Sequence, residues 1–345
     1  MSVGLALIGS GHWARDEHLP AILASKHLQL KAVYSRTTRS ARTIAERAPG
    51  IDLYSEDGEC SFADILKRED ISALLISLPI GSQASYIKAG LSAGKHVLSE
   101  KPVAENLQQA TELIDWYRSS NLACTWSVAE NWRFLRSFDR AAEEIKKLGK
   151  IIGFQVRHFT KVDKDWKFFN TDWRKTPTHQ GGFLLDGGVH LIAGLRQLLE
   201  AGNERLKHVS AFTNSIEEYL PPVDTINAIV KTESGISGTL QISFGTTLRG
   251  NEWTVACENG VVSVIDVLDS VVTVMVDGKK TILPLANEKT GVPPEVRVWG
   301  KALANGTALK AQEPESARAD LEIIELILRS GEKGGFPMDC RFQKV

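Results

Sequence analysis

Short, nearly continuous apolar runs at residues 3–8, 28–34, 71–78, 96–99 and 123–128 alternate with stretches of helical period at 40–47, 84–93 and 107–119. Runs of this kind, bounded by Gly and Pro, suit strands buried on both faces, and their alternation with helices predicts a doubly wound parallel sheet. Beyond Asn131 the period changes. A charged helix at 138–147 is followed by alternating apolar and polar positions at 151–159, 228–232, 236–244, 253–256, 261–267 and 271–276. The turn residues Glu233-Ser234-Gly235, Glu258-Asn259-Gly260 and Asp277-Gly278 separate several of these, which predicts antiparallel hairpins. Helical period returns at 182–199 and 316–329. The expected architecture is α/β: a parallel doubly wound domain over residues 1–130, then an α+β domain over 131–345 with a large, mostly antiparallel open sheet. That sheet is expected to bury one face on helices and the other on a second subunit, giving a homodimer or homotetramer.

The first turn carries a phosphate-binding pattern. In LALIGSGHWARDEHLPAIL, Gly9, Gly11 and Ala14 fill the G-x-G-x-x-G/A positions between a strand and a helix. Gly9 permits the tight turn, Gly11 lets a pyrophosphate approach the backbone, Ala14 lets helix and strand pack, and the helix N-terminus supplies N–H groups. The first domain is therefore read as a dinucleotide-binding Rossmann domain. At the end of the second strand an NAD site usually places Asp or Glu to accept from the ribose 2′-OH. Here the sequence has Ser35, Arg36, Thr37 and Arg39, a guanidinium and hydroxyl set that suits a 2′-phosphate, so NADP(H) is expected over NAD(H).

Composition narrows the function classes. The 43% hydrophobic and 24% charged content is ordinary for a globular chain, and 41 Lys plus Arg against 42 Asp plus Glu gives a net charge of −1. That balance offers no broad footprint for nucleic acid or an anionic membrane. MSVGLALIG has no basic n-region, and its apolar run is about half the length of a signal-peptide core. With no apolar stretch long enough to span a bilayer, a cytoplasmic location is expected. Cys60, Cys124, Cys257 and Cys340 lie far apart without C-x-x-C spacing, so four reduced thiols and no metal site are expected.

Candidate chemistry falls in two further stretches. In AGKHVLSEKPVAENL, Glu100-Lys101-Pro102 follows a strand at the carboxyl edge of the parallel sheet, where Lys101 is placed to polarise a substrate oxygen. A cis Lys101–Pro102 bond is expected there, because X-Pro bonds adopt cis for only about 0.5–1 kcal/mol. In GGFLLDGGVHLIAGLRQLL, Asp186 and His190 stand at i and i+4 on one helical face, so carboxylate and imidazole can meet or point together into a cleft. Gly187 and Gly188 weaken that helix by about 1 kcal/mol each relative to Ala, which signals a close approach to its backbone, a ligand being one candidate. The other histidines, His12, His18, His27, His158, His179 and His208, have no comparable partner pattern and are read as mostly structural or exposed. Trp166, Phe168, Phe169, Trp173, Arg174 and His179 are either a pocket wall or plain core.

Together the glycine loop, AGKHVLSEKP and DWRKTPTHQGGFLLDGGVH resemble the Gfo/Idh/MocA oxidoreductase family in order and spacing, across essentially the whole chain. ARDEHLP and VAENWRF also resemble a fungal NADP-dependent branch of it. The resemblance implies catalytic roles for Lys101, Asp186 and His190, a pyrophosphate held at Gly9, Gly11 and Ala14, and a ribose phosphate among Ser35, Arg36, Thr37 and Arg39. It extends the expected cofactor set to His12, Trp13, Leu78, Pro79, Gln83, Glu100, Lys101, Asn131, Trp173 and Arg174. Trp13 is bulky for a pyrophosphate loop, so it is expected to point away or to wall the nicotinamide pocket. Gln83 stands where many relatives have His. The implied activity is hydride exchange between NADP(H) and a secondary alcohol or carbonyl of a small-molecule substrate, a sugar or polyol. A nucleotide-sensing regulator without turnover and an imine or enone reductase are the alternatives.

Overall fold

The computed structural model describes residues 2–267, 271–286 and 289–344. It resolves into two compact units, Met1–Glu130 with Val292–Pro314, and Asn131–Gly291 with Glu315–Val345. Residues 292–314 therefore belong to the first unit, where the division at residue 131 had placed them in the second.

In the first unit, β1 (Val3–Ile8) runs through the glycine loop into a π-helical turn (Ala14–His18) and α1 (Leu19–Leu23). There follow β2 (Leu28–Ser35), α2 (Thr38–Ala45), β3 (Asp52–Ser55), α3 (Phe62–Leu66), β4 (Ala73–Ile76), α4 (Ile80–Ser92), β5 (His96–Glu100), α5 (Leu107–Ser119) and β6 (Trp126–Ala129). The strands form one sheet in the order β3-β2-β1-β4-β5-β6, and every pairing in it is parallel. This is the dinucleotide-binding order, with its reversal between β1 and β4, where ligands bind beyond the carboxyl ends of the strands. The strands read as continuous apolar runs because both faces are covered. Leu5, Leu7, Val33, Leu75 and Leu98 are buried in one cluster, which Val292, Val296 and Trp299 complete from a later helix.

The second unit begins with a 3₁₀ turn (Asn131–Phe134), α6 (Arg136–Ile145), β7 (Ile151–Phe159), α7 (Asp172–Lys175) and α8 (Gly182–Ala201). It continues through β8 (Leu206–Asn214), β9 (Thr225–Thr232), β10 (Ser237–Ser243), β11 (Gly250–Cys257), β12 (Gly260–Ile265), β13 (Val271–Val276) and β14 (Lys279–Pro284). After α9 (Val292–Ala304), the segment belonging to the first unit, α10 (Pro314–Glu332) and β15 (Met338–Asp339) close the chain. Nine strands form one sheet, β14-β13-β12-β11-β7-β10-β9-β8-β15. β7 and β10 pair in parallel, and the remaining neighbours are antiparallel.

Registry explains the alternating pattern of the sequence. One row across the sheet, Val209, Val230, Phe154, Val255 and Val262, is buried, with α6 and α8 packed against that side. The adjacent row, Ser210, Ile229, Thr239, Gln155, Thr254, Ser263, Thr273 and Ile282, faces the other way, and Ile229 and Ile282 are about 60% exposed. Side chains that alternate with period two produce these two chemically different rows. The β13–β14 hairpin turns at Asp277-Gly278, both at positive φ, as a two-residue type I′ turn requires.

The α9 docking yields a direct test. Trp299 is 1% exposed within the first unit's core, so Trp299→Ala should lower the unfolding free energy by about 3–5 kcal/mol in chemical denaturation. A loss below about 1 kcal/mol would place α9 outside that core.

Candidate active site

The glycine loop begins where β1 ends. Gly9 sits at φ +113°, and a Cβ there would stand 2.2 Å from the Ser77 carbonyl oxygen, so no other residue fits without moving backbone. Its N–H donates to the Tyr34 carbonyl at 2.8 Å, tying the loop to β2. At Gly11 a Cβ would meet nothing within 4 Å. Open space over a bare backbone is what a pyrophosphate needs, so this loop fits a dinucleotide. Trp13 is partly buried and packs against the first unit's apolar core, and His12 Nδ1 meets the Arg15 guanidinium at 2.7 Å.

At the end of β2 the Ser35 hydroxyl meets that of Ser10 at 2.8 Å. Thr37 caps α2: its hydroxyl accepts from the Ser40 N–H at 3.2 Å, which commits one of its lone pairs. Arg36 and Arg39 are exposed. Asp57 accepts from the Thr38 N–H at 2.7 Å, and hydrogen bonds from Ser55 and Thr38 hold its carboxyl below the usual range. Gln83, in the first turn of α4, is 2% exposed, and its amide has no hydrogen-bond partner among the described residues. Leu78 and Pro79 form the link from β4 into that helix, and Leu78 comes within 3.3 Å of a Cβ built on Gly9.

Lys101 follows the last residue of β5, and its peptide bond to Pro102 is cis. The neighbouring Glu100 carboxylate accepts from two sides. His18 Nε2 lies 2.5 Å from Oε1, and the Lys101 N–H donates to Oε2 at 3.1 Å. His18 is fully buried, so this histidine, read from sequence as structural or exposed, touches the Glu-Lys-Pro motif directly.

In the second unit, Asp186 and His190 lie on α8 as the spacing requires. Asp186 is 4% exposed and accepts from Arg174 Nε at 2.8 Å. Arg174 also donates to the Phe168 carbonyl at 2.8 Å, and its guanidinium lies 4.0 Å from the Trp173 ring centroid. The His190 ring stacks on Trp132 at 5.2 Å with planes 15° apart, and Trp132 in turn meets Trp253 edge-on. Asn131 donates its amide to the Thr290 carbonyl within the same unit. Gly187 and Gly188 have a packing reason: Cβ atoms there would lie 2.9 Å from the Phe244 ring and from Ile324 Cδ1. Protein side chains approach both glycines closely.

One residue near His190 escaped sequence reading. His158, at the end of β7, meets Asn251 Oδ1 through Nδ1 at 3.3 Å and packs on Phe244 at 5.4 Å. Phe244 leads to Phe183 at 5.1 Å and on to Phe169 at 5.6 Å, so part of the aromatic cluster before the helix runs to His158. Burial lowers the His158 pKa, the Asn251 bond opposes that, and the nearby His190 lowers it further. The signal in the sequence was a histidine where a strand meets the helix carrying the D-x-x-x-H pattern, visible only once pairing is known.

The shift has a consequence for stability. Below pH about 6.5 an unfolded histidine takes up a proton that native His158 refuses, so unfolding binds protons and His158 makes stability fall with acid. His158→Asn should flatten the dependence of unfolding free energy on pH below about 6.5. An unchanged slope, or a His158 ring resonance titrating above about 6.5, would contradict the shift.

Residues 3–127 match the family described as an oxidoreductase family with an NAD-binding Rossmann fold, and residues 140–263 match the GFO/IDH/MocA C-terminal domain. A protein named dehydrogenase FPY6, from Fusarium mangiferae, is 38% identical over 352 residues, covering 99% of this chain and 100% of its own. A dTDP-3,4-didehydro-2,6-dideoxy-alpha-D-glucose 3-reductase of Saccharopolyspora spinosa is 29% identical over 198 residues, 57% of this chain and 56% of its own. Among solved structures, an oxidoreductase of Thermotoga maritima superposes with a TM-score of 0.86 at 27% identity, over 99% of both chains. Two matched halves and a relative aligned from end to end lead to one conclusion: the chain belongs to the Gfo/Idh/MocA family of NAD(P)-dependent oxidoreductases.

Proposed function

We propose that the protein is an NADP(H)-dependent reductase or dehydrogenase acting at a secondary alcohol or carbonyl of a sugar or polyol. The observation that carries the reading is His190, an imidazole fixed face to face on Trp132 and one helical turn from an arginine-paired carboxylate. A positioned imidazole exchanges protons near neutrality, and stacking fixes its direction.

Gly9, Gly11 and Ala14 hold the pyrophosphate, while Ser35, Arg36, Thr37 and Arg39 surround the ribose 2′-phosphate. Neither arginine has a carboxylate partner among the described residues, which leaves both guanidinium groups for an anion. When bound, the nicotinamide supplies or takes the hydride. His190 gives or takes the hydroxyl proton, and Lys101 stabilises the substrate oxygen as charge develops. Asp186, charge-balanced by Arg174, fixes the α8 face that presents His190. The sugar class draws support from the similarity to a deoxysugar 3-reductase over half of the chain. The open sheet face, with Phe212 66% and Ile229 62% exposed, is assigned to a second copy of the chain.

Titration with NADPH and NADH tests the cofactor assignment. Arg36→Ala should erase a preference for NADPH worth about 1.5–3 kcal/mol; equal affinities in the unaltered protein would refute it. Turnover is tested with a panel of aldoses, ketoses, osones and polyols. Lys101→Met and His190→Ala should each lower kcat by about 10²–10⁴-fold and leave NADPH binding within about 1 kcal/mol. Full activity in either variant removes that residue from the mechanism.

A further inference from the structure

We propose that His18 is a positioning residue for Lys101, joining the glycine loop to the Glu-Lys-Pro strand end through the Glu100 carboxylate. This rests on the assignment of Lys101 as catalytic. The π-helical turn Ala14–His18 starts at the last residue of the glycine motif, and its two buried residues are Ala14 and His18. The widened turn therefore sends His18 inward, while Arg15, Asp16 and Glu17 are not buried. π-Turns of this kind recur at functional sites because the extra residue re-aims a side chain.

His18 is 0% exposed and its Nε2 donates to Glu100 at 2.5 Å. Its Nδ1 has no partner among the described residues. The ring therefore has one polar contact among the described residues, and leaving Nδ1 without a partner carries a desolvation cost that an apolar side chain would not. Glu100, 8% exposed, passes the constraint on, because its second oxygen accepts the Lys101 N–H at 3.1 Å. A carboxylate gripped from both sides cannot swing. The backbone that carries Lys101 is consequently set by the segment that begins with the pyrophosphate cradle, so the placement of the lysine depends on that loop's conformation.

The test compares His18→Gln, His18→Asn and His18→Leu. A Gln amide nitrogen reaches the position of the imidazole Nε2, whereas Asn falls one methylene short and Leu has no donor. Each protein is measured for Tm, NADPH dissociation constant, kcat per folded enzyme, and the rate at which the Lys101 amine is acylated, read by peptide mass spectrometry. The Asn and Leu variants should lose about 10–100-fold in kcat, as removal of an outer partner of a functional residue does. They should also change the Lys101 acylation rate, while NADPH binding holds and Gln restores both readings. Equal turnover and equal acylation in all four proteins, or Asn and Gln behaving alike, would overturn the proposal. Should the unaltered protein turn over no sugar or polyol, the acylation rates still decide the role of His18, and the oxidoreductase reading fails separately.

Discussion

A carboxylate taken out of water keeps its charge only against donors fixed around it, and in this chain that requirement ties chemistry to packing. Asp186 meets Arg174, Glu100 meets His18 and the Lys101 amide, and Asp320 meets Arg133 and Arg196. Glu322 accepts from the backbone of Arg341 and Phe342 and from Gln343. Removing one member of such a pair leaves an uncompensated buried charge, an effect of about 3–5 kcal/mol. The partner of each acid is therefore as constrained as the acid. The two of these acids nearest to candidate chemistry, Glu100 and Asp186, hold a strand end and a helix face in place.

The two candidate groups on α8 are held in different ways. Asp186 draws its balance from Arg174, which also binds the Phe168 carbonyl, so the aromatic segment before α8 is anchored to the helix by charge. His190 is held differently, by the flat contact with Trp132. The His18 ring, by contrast, is fixed by a buried hydrogen bond to Glu100.

How much of this was legible follows from the range of each interaction. The parallel sheet could be read because buried strands leave continuous apolar runs, and the glycine loop because Gly9 is required by local backbone. Several elements were not assigned. β8 is polar at many positions because one of its faces is open, β14 is an edge strand with no buried position, and α9 begins at a Pro293-Pro294 pair that reads as a break although Pro is tolerated in a first helical turn. The return of α9 to the first unit is a long-range event with no local mark. Lys101, Asp186 and His190 stood out by motif, but the pairing of Glu100 with His18 spans 82 residues. The glycines at 187 and 188 signalled a close approach correctly, and the sequence had no means of naming Phe244 and Ile324 as the cause.

The account centres on hydride exchange at a carbinol carbon, and isotope transfer tests that most directly. The protein is incubated with NADPH carrying deuterium at both nicotinamide C4 positions and a keto sugar drawn from the active panel, and the product is read by mass spectrometry and proton NMR. The expected product carries one deuterium, on the new carbinol carbon, with none appearing in solvent. A product without deuterium at that carbon, formed while NADPH is bound, would contradict the account.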